Sequence, residues 1–368
     1  MCEGVLMRST HPEADPEPEP VQAIRAAASL GTFDWEPGSV SERLMNVERV
    51  GAGETYEAWR LDLAGSDPVV LRVVHRPVDT MPRPMQHEFA ALQHVPADVG
   101  PRGLAMDDTC DNPLGRPWML ATFTPGSEKP VAAWTDDDLA RTAQQLARLH
   151  EPPVAVRGPV DSPARVPLDI EAEFATGCRW WHDHHPEITT QPRFRTLRPR
   201  VAAFLQRHAG EFRRLDTFAL IHSDLVATNV VVDGTGTPRF IDWEWGEYDD
   251  VAKDLALLGG TVHGGPWYVP MTSEQVERFV AAYASARGAL TGIRPDETAL
   301  LRRRDAWEVH ERFQAAMHNA MRAADPATPD RAMYAQAVEA VLATLAARVD
   351  TAADTSTGPG TGAGTGSA

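Results

Sequence analysis

The stretch from residue 218 to residue 258 constrains this chain more than any other. It reads FALIHSDLVATNVVVDGTGTPRFIDWEWGEYDDVAKDLALL. Two mainly apolar segments, 230–232 and 239–241, flank the turn-prone DGTGTP, which predicts an antiparallel hairpin. Residues 232 and 239, 231 and 240, and 230 and 241 then face each other. Asn229 falls opposite Asp242, at ~5 Å between backbones. One carboxylate and one amide oxygen at the open end of a hairpin are hard ligands of the kind Mg²⁺ takes, with water and phosphate oxygens completing its shell. Asp224 lies in the loop that enters the same end, where it can accept a hydrogen bond from a substrate hydroxyl and orient it. A base, two ligands and one metal are the working parts of a phosphoryl-transfer site. Each of these residues alone is more often structural, a turn former. The spacing of the whole set is what points to chemistry.

The flanking sequence divides in two. Over 44–74, apolar and aromatic residues tend to alternate with polar ones, and Gly51, Gly53 and Gly65 punctuate the turns, as in a small sheet. Met85, Phe89 and Leu92 recur at helical spacing, and a further strand is expected at 118–123 before Thr124-Pro125-Gly126. Thr135 then caps a helix that opens with three aspartates. More helices are expected near 168–183, 194–214, 273–287, 296–323 and 330–348. The pattern predicts an α+β protein, with a β-rich nucleotide-binding lobe at 35–122 carrying one main helix and a larger, mostly helical lobe at 123–348. Residues 1–34 read as an acidic, partly disordered leader with a helix-compatible stretch at 21–30, and 349–368 as a disordered Gly/Thr/Ala tail.

On His222-x-Asp224-x-x-x-x-Asn229 and Ile241-Asp242-Trp243-Glu244, the chain resembles the aminoglycoside phosphotransferase and choline kinase superfamily, which shares the bilobal protein-kinase-like fold. The resemblance runs in order over most of 40–325. It implies Asp224 as the catalytic aspartate, Asn229 and Asp242 as the magnesium ligands, and His222 as the residue that stabilises the loop. It also implies that Asp254 fastens that loop from below. Ser223 stands where many relatives have glycine.

The same resemblance assigns the nucleotide side. Gly51 and Gly53 would cover the phosphates of ATP. Arg72, in VVLRVV, takes the place of the lysine of protein kinases, and Glu88 would pair with it rather than bury an uncompensated carboxylate. The Thr122 carbonyl and Thr124 amide would meet adenine, with Val231 and Ile241 packed under the purine. The expected activity is ATP-dependent transfer of the γ-phosphoryl to a hydroxyl of a small molecule. Its acceptor would be of aminoglycoside, amino alcohol or sugar type. The alternative is a pseudokinase-like nucleotide-binding regulatory or interaction protein.

Charge and composition exclude other classes. Thirty-five basic against fifty-two acidic residues leave a net charge of −17, which disfavours nucleic acid as a partner. No apolar run approaches the ~20 residues that cross a bilayer, and the first residues lack a secretory apolar centre, so cytoplasmic residence is expected. Cys2, Cys110 and Cys178 are scattered and read as reduced thiols. The histidines of WHDHH, 181–185, read as a polar helix end rather than a metal cluster, and Arg302-Arg303-Arg304 as a solvated helix face. The tryptophans and Tyr268 of the helical region read first as core residues. Glu247, Asp249 and Asp250 read either as an exposed acidic turn or as an attractor for a cationic acceptor.

Overall fold

The structure, a computed structural model, describes residues 18–354. The first part of the expected leader, 1–17, and the end of the expected tail, 355–368, lie outside the described residues. The chain divides into two compact units, one running to Met81 and resuming over Gly103–Phe123, the other formed by Pro82–Arg102 and the chain from Thr124 onward.

In the first unit, helix α1 (Glu19–Ser29) precedes five strands, β1 (Leu44–Ala52), β2 (Tyr56–Leu63), β3 (Val69–Val74), β4 (Gly103–Asp107) and β5 (Trp118–Thr122). They form one antiparallel sheet in the order β1-β2-β3-β5-β4. Alternation along the strands puts Trp59, Leu61 and Leu63, Leu71 and Val73, and Trp118 and Leu120 on one buried side. Val21, Ile24 and Ala28, a helical stripe on α1, belong to the same core. The expected leader therefore ends in a packed helix. Beyond it, Asp34 orders the approach to β1 by accepting the amides of Val40 and Ser41 at 2.6 and 2.8 Å.

The second unit begins with α2 (Met85–Leu92), the helix expected in the first lobe. Its packing explains the difference. Ala91 lies so close to Gly246 that a Cβ there would approach it to 2.8 Å, and the ring of His94, just past the helix, meets Tyr248 edge-on. Further along, the Phe240 amide donates to Val99 O at 2.8 Å. A glycine is required at position 100, where a Cβ would lie 2.7 Å from Phe240 O. The remaining elements are β6 (Ser127–Glu128), α3 (Asp136–Leu149), β7 (Gly158–Pro159), α4 (Ile170–His184), α5 (Pro186–Thr189), α6 (Pro192–Phe212), β8 (Ala219–Ile221), β9 (Val230–Val232), β10 (Pro238–Phe240), β11 (Glu247–Asp249), α7 (Ala252–Leu257), β12 (Gly259–Gly260), β13 (Val269–Pro270), α8 (Ser273–Thr291), α9 (Glu297–Ala324) and α10 (Arg331–Asp354). Thr135 and Asp138 form the capping box that starts α3. Helix α10 runs past the expected end at 348, because Leu342, Leu345 and Val349 continue its buried stripe.

Two charged segments are placed differently from the sequence expectation. Of the three arginines at 302–304, only Arg302 is solvated. Arg304 is fully buried, pairs with Glu308 and donates to the carbonyl of Gly259. Glu247, Asp249 and Asp250 are also buried, so they form neither an exposed turn nor an attractor for a cation. Asp249 is held by Arg157 at 2.7 Å, and Asp250 by Arg303 and the Trp307 indole, each at 3.1 Å. The histidines near 182–185 do form a helix end, with His184 the last residue of α4.

Candidate active site

The hairpin of β9 and β10 exists, but one residue out of the expected register. Val232 pairs with Pro238, Val231 with Arg239 and Val230 with Phe240. The turn is shorter because Pro238 opens a strand, where its missing N–H is tolerated. Asp233 organises the turn by accepting the amides of Thr235 and Thr237 at 2.8 and 3.0 Å. Asn229 O consequently accepts from the Ile241 amide at 3.0 Å, and Asp242 lies one position beyond the pair. A left-handed backbone at Asp242, φ 65°, re-aims the chain there.

That shift keeps the site together. The Asn229 side-chain amide donates to Asp224 O at 2.9 Å and to Asp224 Oδ2 at 3.2 Å. Burial raises the Asp224 carboxyl well above the usual range, and the neighbouring carboxylates of Asp242, Glu244 and Glu311 push it further in the same direction. The structure thus joins Asn229 to Asp224 by hydrogen bonds and puts the Asp242 carboxylate within electrostatic reach of Asp224, together with Glu244 and Glu311, which the sequence did not single out for this place. Among the described residues no three His, Cys, Asp or Glu side chains form a metal cage of their own. The donors present are nevertheless suited to a hard cation shared with phosphate. With Asn229 Nδ2 turned to Asp224, Oδ1 is the remaining ligand atom of that amide.

Asp254, at the heart of α7, holds the loop that carries Asp224. Its Oδ2 accepts the His222 amide at 2.8 Å and its Oδ1 the Ser223 amide at 2.9 Å. His150, which caps the C-terminus of α3, reaches the same Oδ2 with Nε2 at 3.2 Å, and its Nδ1 accepts from the Tyr283 hydroxyl at 2.9 Å. His222 is fully buried and donates from Nε2 to Ile241 O at 2.8 Å, which ties the loop to the strand end beside Asp242. Ser223 adopts φ 64°. This left-handed conformation costs a non-glycine residue about 1–2 kcal/mol.

Burial lowers both His150 and His222 below the ordinary imidazole range, and the carboxylate of Asp254 offsets this only in part. The unfolded chain takes up these protons near ~6.5, whereas the folded chain does not. Their contribution to stability is complete above that value and is lost as pH falls from it toward the folded values. Urea melts between pH 7.5 and 5.5 are expected to show stability dropping by up to ~1.4 kcal/mol per pH unit for each histidine. A flat profile across this window would contradict their neutral burial.

In the first unit, Gly51 follows an irregularity in the β1–β2 pairing, and Gly53 donates its amide to Tyr56 O at 2.9 Å. A Cβ at either glycine would meet nothing within 4 Å. Arg72 projects from β3 with its guanidinium 4.3 Å from the centre of the Tyr56 ring. Thr122 closes β5 and pairs with Val69, and the division between the units falls after Phe123, just before Thr124. In the second unit, Glu88 is 1% exposed on the inner side of α2. Val231 is buried in β9, and Ile241 is half-buried.

With this geometry in view, the likeness to known proteins can be placed. The model of the phosphotransferase enzyme family matches residues 46–263. No curated protein matches the chain in sequence. A choline kinase from Cryptosporidium parvum Iowa II is 11% identical, with 91% of this chain and 96% of that chain covered and a TM-score of 0.59. A putative aminoglycoside phosphotransferase from Ralstonia eutropha JMP134 is 14% identical, covering 90% of this chain and 98% of that one at a TM-score of 0.58. The GDP complex of an aminoglycoside 2′-phosphotransferase variant is 17% identical, covering 90% and 99% at a TM-score of 0.59. At such identities the likeness is one of fold, and the fold is the protein-kinase-like α+β one that the sequence predicts. The family match begins in β1 and runs through the Asp224 loop, the hairpin and Asp254, spanning more than half of the residues, so the chain belongs to the phosphotransferase enzyme family.

Proposed function

We propose that this protein is an ATP-dependent small-molecule kinase that passes the γ-phosphoryl directly to an acceptor hydroxyl. The observation that carries the reading is the Asp224 loop itself, in which Asn229 donates to Asp224, Asp254 holds the backbone from within, and the Asp242 carboxylate acts on Asp224 from beyond the hairpin. Asp224 orients the acceptor hydroxyl and takes its proton while that oxygen bonds to phosphorus and the bond to the β–γ bridging oxygen breaks, leaving ADP. Asp242 and Asn229 Oδ1 are the residues that would hold Mg²⁺, which when bound offsets charge on the phosphate oxygens. His222 acts through the backbone, by positioning the loop. The remaining nucleotide contacts are assigned to Gly51, Gly53, Arg72 and Thr122 in the first unit and to Glu88, Thr124, Val231 and Ile241 in the second. The open surroundings of the two glycines suit close approach of phosphate to backbone.

The acceptor is proposed to be an aminoglycoside, an amino alcohol or a sugar; the names of the structural neighbours point to the first two classes. The enzyme is proposed to be cytoplasmic and to act without nucleic acid or membrane as partner; the net charge of −17 supports the exclusion of nucleic acid. The test is an ATP-consumption screen across these three acceptor classes, with Asp242→Ala as control. Acceptor-dependent turnover that falls at least ~100-fold in Asp242→Ala is expected. Nucleotide binding without product from any acceptor would instead identify a pseudokinase.

A further inference from the structure

One feature of the Asp224 loop belongs to this chain's own residues. Ser223 holds a left-handed backbone at φ 64°, which glycine would adopt freely. Its amide bonds to Asp254, as the amide of any residue there could, but its hydroxyl also donates to Glu247 Oε1 at 2.9 Å. Glu247 is 8% exposed and is fully engaged. Its Oε2 accepts from Arg83 at 3.0 Å, and Lys253 reaches Oε1 at 3.3 Å. Burial alone would raise this carboxyl, yet Lys253 and Arg83 hold it down to about 2, so it is ionised throughout the working pH range. Arg83 stands directly before Pro84, the cap of α2, and stacks over the Trp245 ring at 4.7 Å.

We propose that Glu247 is a positioning residue for the phosphoryl-transfer site: through the Ser223 hydroxyl it fixes the loop that carries Asp224, and through Arg83 it ties that loop to the entry of α2. This rests on the reading of Asp224 given above. The tether gives the serine its use at a backbone conformation that otherwise disfavours it. Residue 224 follows directly, so rotation at 223 moves the Asp224 carboxyl.

Two variants remove the hydroxyl and separate position from strain. Ser223→Gly relieves the left-handed backbone and is expected to melt no lower than the parent, while Ser223→Ala keeps the strain and melts lower. Both are expected to lose about tenfold in kcat with KM for ATP within about twofold, since misplacement of a reacting group slows transfer without weakening nucleotide binding. In the ligand-free protein, both should also exchange the amide hydrogens of residues 225–229 at least about tenfold faster than the parent, with the core strands unchanged. A role in stability alone would move kcat and melting temperature together. Parental loop exchange in both variants, or a Ser223→Gly kcat within twofold of the parent, would overturn the tether. Asp224→Asn, assayed in parallel, separates the two failures. If it transfers phosphate normally, the functional reading falls; if it is inactive while Ser223→Gly is fully active, only the tether does.

Discussion

Asp224→Asn is expected to lower acceptor phosphorylation by about 10²–10⁴-fold, the range typical for losing a positioned general base. Asparagine keeps the shape of the side chain and its contact with Asn229 but cannot take the hydroxyl proton. Binding of ATP, measured by calorimetry, should change little if the residue serves the acceptor as proposed. A second consequence distinguishes this substitution from ordinary damage. Asp224 is raised well above its usual range by burial and by Asp242, Glu244 and Glu311, so its ionised form destabilises the metal-free fold. A group raised in this way binds its proton more tightly when folded, and stability is lost as pH climbs through and above the unfolded value near ~3.9. Near neutral pH the neutral amide should therefore melt higher than the parent in the absence of divalent metal. Transfer within about tenfold of the parent would contradict the assignment.

Asp254→Ala is expected to be the most destabilising single change in the site. Two backbone amides and the His150 imidazole converge on this fully buried carboxylate. Each buried donor left without a partner costs roughly 1–3 kcal/mol, so the two amides alone account for about 2–6 kcal/mol. That is a large part of the 5–15 kcal/mol or so by which a domain is usually stable. Asp254→Asn keeps one acceptor oxygen and should fall between the alanine variant and the parent. Urea melts provide the measure, and a loss below about 1 kcal/mol for the alanine variant would mean that water or a neighbour replaces the carboxylate.

Much of this arrangement is legible in the chain because it is local. The Thr135 cap announces α3, stretches of helical character announce α4, α6, α8 and α9, and the eight positions from His222 to Asn229 announce the loop. The hairpin register is harder to read because Pro238 looks like a turn residue yet starts β10, and one residue of slip exchanges every facing partner. Buried charge is the least legible feature. Arg304, Glu247 and Lys253 look like surface residues because partners that bury them are distant in sequence: Gly259 for Arg304, Arg83 and Ser223 for Glu247, and Glu311 for Lys253. For the same reason, no local pattern reveals that α2 packs against the chain around Gly246 rather than travelling with the sheet.

The bonds that place Asp224 arise from the protein interior: Asp254 on α7, His150 at the end of α3 with Tyr283 of α8 behind it, and the carbonyl of Ile241. None of them depends on a side chain chosen to greet an incoming alcohol. Retargeting by mutation can accordingly proceed in stages, with residues that face the guest exchanged while Asp224, the proposed proton acceptor, keeps its address. A scaffold wired this way is well suited to acquiring new clients without rebuilding its chemistry.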